Sequence, residues 1–60
     1  MGAKLEAYFA TADKLGGMRA KVKLAMITKL SAKSAAEAAD SAENIAMFEA
    51  ALATVKKEVA

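Results

Sequence analysis

Apolar side chains recur along this chain at spacings of three and four and never alternate with polar ones, so the pattern predicts helix nearly from end to end. At about 100° per residue, Leu5, Tyr8, Phe9, Ala12 and Leu15 share one stripe, with Lys4, Glu6, Asp13 and Lys14 outside its centre. That stripe predicts a packing helix over 3–15. The next segment, 17–31, is apolar on two sides: Met18, Val22, Ala25 and Met26 form one stripe, and Ala20, Leu24 and Ile27 point nearly opposite. A helix with two apolar faces sits between two neighbours. Over 41–58 the spacing is clearest, because Ile45, Phe48, Leu52, Val55 and Val59 follow one another by three, four, three and four. Lys56 and Lys57 suit the negative end of that helix.

Two interruptions punctuate the pattern. Gly16-Gly17 follows Lys14-Leu15, as a left-handed helix stop with a favourable nearby cation would. Yet Leu15, Met18 and Val22 keep the three-four spacing across the pair, so one long helix carrying about 2 kcal/mol of glycine penalty fits equally. Further on, Ser31 reads as a turn or cap residue. Ser34-x-x-Glu37 and Asp40-x-x-Glu43 both have capping-box spacing, which predicts a short helical turn at 34–39 and a fresh start after it. An antiparallel hairpin of the second and third segments, centred near Ala36, sets Ile27 level with Ile45, Leu24 with Phe48 and Ala20 with Leu52. It also brings Lys29 to Glu43 and Lys23 to Glu49. Met47 lies off the apolar seam and stays exposed in such a hairpin.

The expected fold is therefore all-α: a small antiparallel helical hairpin or three-helix bundle in one domain, 1–60, completed by dimerisation. Composition supplies the reason for the last clause. Apolar residues make up 57% of the chain, but half of these are alanine. A chain this short buries only about 60% of its unfolded surface, which leaves little margin over chain entropy.

Chemistry is restricted by what is missing. The chain has no Cys and no His, which removes the commonest zinc ligands, thiol nucleophiles and the most frequent general base. Glu37, Asp40 and Glu43 recur every three residues, but paired-metal bundles draw on Glu-x-x-His motifs, and helix-start chemistry accounts for all three acids. Ser31 and Lys33 lack the spacing of a serine-lysine nucleophile. Neither enzymatic activity nor a cofactor is expected. No run of about 18 apolar residues suggests a membrane span, no charged leader precedes an apolar core, and Glu6 stands where Met1-Gly2 acylation requires Ser or Thr. The cytoplasm is the default compartment.

Charge is uneven within a net +2: Lys14, Arg19, Lys21, Lys23, Lys29 and Lys33 have no acid among them, whereas five acids face two lysines from Ser34 onward. The reading that results is a non-enzymatic interaction, oligomerisation or adaptor module. It meets a second copy or a larger helical protein through Leu5, Tyr8, Phe9, Met18, Val22 and Met26. The competing reading is a nucleic-acid-binding module that sets Arg19, Lys21, Lys23, Lys29 and Lys33 on phosphates. Against it, no aromatic lies between Phe9 and Phe48 to stack on a base.

Overall fold

A computed structural model describes residues 2–59, with the side chains of Ala32 and Ala36 left aside; Met1 of the acylation pattern lies outside it. The described residues form helices α1 (Ala3–Ile27), α2 (Ala32–Glu37) and α3 (Ala42–Val59), with no strand among them.

The glycine pair decides the architecture. A straight 25-residue helix would be about 37 Å long, and the molecule's greatest extent is 28 Å. The chain breaks at Gly16 (φ −154°, ψ 18°) and Gly17 (φ 64°, ψ −145°), which divides α1 into arms 3–15 and 18–27. Gly17 has the one positive φ that calls for glycine here. At Gly16 the need is space, since a Cβ would come within 3.1 Å of the Ala20 Cβ and 3.3 Å of Val59 Cγ1.

Contacts set the direction of each arm. The backbone N–H groups of Lys4 and Leu5 donate to the Asp40 carboxylate, the Phe9 and Phe48 rings lie 5.7 Å apart at 57°, and Gly16 reaches Val59. These pairs climb together, so the first arm runs parallel to α3. The second arm turns back from the Val59 end, where Lys23 meets Glu58 at 2.6 Å, and descends toward α2. The expected hairpin register is corrected accordingly: Lys23 pairs with Glu58 and not Glu49, because Glu49 accepts a hydrogen bond from Tyr8 of the parallel arm. Ala36, taken above as the turn's centre, lies inside α2.

Helix ends differ from expectation for local reasons. The second arm stops at Ile27 and not at 31, since the Lys29 N–H donates to the Met26 carbonyl and the Leu30 N–H to the Ala25 carbonyl, with Lys29 at φ 62°. This is the Schellman pattern, carried by lysine where glycine is usual. Buried Thr28 directs its hydroxyl at the Leu24 and Ala25 carbonyls. Helix α2 begins before the predicted turn because Ser31, not Ser34, is its cap, accepting from the Ser34 N–H at 3.2 Å. Ser41 caps α3 by accepting from the Asn44 N–H, which leaves Asp40 free to cap α1 instead.

The core comprises Leu5, Phe9 and Ala12 from the first arm, Ala20, Leu24 and Ala25 from the second, Ala35 from α2, and Phe48, Ala51, Leu52 and Val55 from α3. Five of these eleven are alanines, so the helices approach closely around a few large side chains. Helix α3 touches two arms rather than one, and its buried arc broadens and rotates toward Ala51. Met47, expected in solvent, packs against the core, and Val59, expected in the seam, is exposed.

Candidate docking face

Once the two arms and α3 have closed on each other, one large apolar stripe remains outside. Met18 and Met26 are each 70% exposed and Val22 is 42% exposed. They stand four residues apart on the second arm, within an arc of about 80° at helical pitch. The arm folds this way because its opposite side, Ala20, Leu24 and Thr28, is buried against the body. Both apolar faces read from the sequence therefore exist, but the chain satisfies only one of them together with Ala25, which was read into the outer stripe and is buried at its edge.

Between Met18, Val22 and Met26 runs a groove of about 420 Å³, bordered by Arg19 and Lys23. A neighbouring hollow of about 370 Å³ continues from it, sharing Arg19 and Lys23 and adding Leu15, Gly16, Glu58 and Val59. Leu15 and Val59, assigned above to packing seams, are 40% and 39% exposed. They extend the apolar surface past the glycine break. The signal that could have found them is the broken helix: once the first arm lies parallel to α3, both residues arrive at the same end of the molecule.

The other residues expected at an interface fall elsewhere. Leu5 is fully buried and Phe9 8% exposed, so both serve the chain's own core and are withdrawn from the partner surface. The reason is the parallel arm, which gives their stripe an internal partner. Tyr8 is half-buried, and its hydroxyl donates to Glu49 at 2.8 Å. That hydrogen bond, followed by burial and the negative charges of Glu49 and Asp40, raises the phenol above its ordinary pKa.

The cations do not gather on one face. Arg19 and Lys23 line the flank of the apolar stripe; Lys21 projects from the other side of the arm and is half-buried. Lys29 occupies the left-handed position beyond the helix, and Lys33 is exposed on α2. The Lys23–Glu58 bridge joins side chains 48% and 41% exposed, so it contributes under about 1 kcal/mol and yields readily to a competitor. Among the described residues no group of three acids could hold a metal, no buried side-chain polar atom lacks a partner, and no helix is long and apolar enough to cross a membrane. The chain matches no family model, no curated protein and no solved structure.

Proposed function

We propose that this chain is a non-enzymatic interaction module whose working surface is the exposed stripe of the second arm. The observation that carries this reading is that Met18, Val22 and Met26 stay in solvent although the chain has closed a core around their opposite face. Fully burying one such side chain is worth roughly 1.5–3 kcal/mol, so covering this stripe would stabilise a complex by several times RT. Methionine and arginine are enriched at protein interfaces, and unbranched methionine adapts its shape to a partner helix. The arm is helical and the groove open along its length, a shape that accepts a helix lying alongside.

The partner is either a second copy, giving the dimer anticipated from the thin core, or a helix of another protein. A photo-crosslinking residue placed at Met26 tests the reading in the cell of origin. It should give discrete adducts that vanish on adding Val22→Glu, whereas the same probe at Ala53, exposed on α3, should give none. Equal labelling from both positions would remove the docking surface.

A further inference from the structure

We infer that the occupant of the Met18–Val22–Met26 groove is an amphipathic helix whose apolar edge is flanked by carboxylates, rather than a second copy of this chain; the inference rests on the docking reading above. Charge on the arm carries it. The segment between Asp13 and Glu37 contains six cations and no acid. Two of the six, Arg19 and Lys23, form the polar border of the groove. At helical pitch they stand about 60° and 100° from Val22 on the same side, while the opposite border is the chain's own packed body. A ligand helix laid along the stripe therefore meets exposed Arg19 and Lys23 on one flank, while half-buried Lys21 stands about 100° round on the other.

A second copy is a poor match for this border. Two arms packed antiparallel about Val22 place Met18 against Met26, which is favourable, but the two-fold also brings Lys23 and Arg19 of both copies together on one flank of the seam. Like charges so placed oppose association. An acidic helix reverses the sign of every one of these terms. Glu58, already on Lys23 at 2.6 Å, shows the geometry such a carboxylate would take. The arm also fixes the length of the match: from Met18 to Met26 is about 12 Å, a little over two helical turns. An apolar pattern of i, i+4 and i+7 in the ligand would span it.

The test uses the full chain and three designed helical peptides with leucine at i, i+4 and i+7, bearing glutamate, glutamine or lysine on one flank. Titration by fluorescence anisotropy should rank glutamate first and lysine last, with the preference weakening as salt is added. Arg19→Glu combined with Lys23→Glu, both exposed positions, should invert the order, changing the glutamate-to-lysine ratio by roughly tenfold or more. Val22→Glu should abolish binding of all three, with circular dichroism confirming that the helices persist. Equal binding of the three peptides would overturn the acidic-partner inference and leave the docking face standing. Absence of peptide binding together with a dimer that Val22→Glu dissociates would overturn it in favour of a second copy. Stronger binding to phosphatidylserine vesicles than to the glutamate peptide would overturn it in favour of a lipid surface.

Discussion

Replacing Gly17 with L-alanine isolates the conformational cost of the chain reversal. Gly17 sits at φ 64°, ψ −145°, a region close to one that is essentially restricted to glycine and costs another residue about 1–3 kcal/mol. Apart from the adjoining backbone, nothing lies within 4 Å of where the new Cβ would fall, so packing neither adds to the loss nor offsets it. The competing straight helix gains at the same time, because alanine is better than glycine in a helix interior by about 1 kcal/mol. The balance between bent and straight α1 therefore moves by roughly 2–4 kcal/mol, against a total stability of roughly 3–9 kcal/mol for a domain of this length. Strain alone should lower the thermal midpoint, followed by far-UV circular dichroism, by on the order of 5–20 °C. Light scattering should reveal a concentration-dependent dimer in which a straightened α1 bridges two molecules, each completing the other's core. Chemical synthesis supplies the control. The torsions of Gly17 mirror those of polyproline II, which a D-residue adopts without strain, so D-alanine at position 17 should melt as high as glycine or higher. An L-alanine variant that melts like wild type would refute the reasoning, as would equal losses for both isomers.

Three further outcomes follow from the same structure. Asp40→Ala removes the acceptor for the Lys4 and Leu5 N–H groups and should cost about 0.5–2 kcal/mol in a denaturant titration, with Asp40→Asn between the two. Lys29→Gly relieves a left-handed lysine and should stabilise by about 0.5–1 kcal/mol, read as a rise in the same midpoint at unchanged slope. Tyr8 has its pKa raised by donating to Glu49, so its contribution is present below the usual phenol value of about 10 and is lost as pH climbs through the raised value. The stability gap between wild type and Tyr8→Phe should be constant at neutral pH and close under alkaline conditions; a gap that stayed unchanged there would show the hydrogen bond to be absent.

Helix content was readable because alanine-rich segments with three-four spacing have no competing solution, and the α3 seam through Phe48, Leu52 and Val55 is buried where its periodicity puts it. The direction of the arms was not readable. Gly16-Gly17 permits a bend and a continuous helix at similar cost, and only the burial of Leu5 and Phe9 against α3 settles the choice, a long-range fact with no local mark. Lys29 gave no sign of a left-handed turn, since lysine has no preference for that conformation and takes it here where the Lys29 and Leu30 N–H groups close on the Met26 and Ala25 carbonyls. Asp40 was legible as a helix-start residue, but the helix it starts lies 35 residues upstream. For the candidate site, Met18, Val22 and Met26 were visible as a stripe; whether they faced inward was undecided until the opposite face found its partners.

The parallel setting of the first arm and α3 has a kinetic consequence. Tyr8 and Glu49 are separated by 41 residues, so the contacts that seat the first arm close most of the chain into one loop before any of them forms. Helical domains owe their speed to contacts between sequence neighbours, and this one places its aromatic pair at opposite ends of the chain. On the ribosome, Phe9 and Tyr8 of the first arm cannot reach Phe48 and Glu49 until α3 has emerged, so the core stays incomplete while the last third of the protein is made.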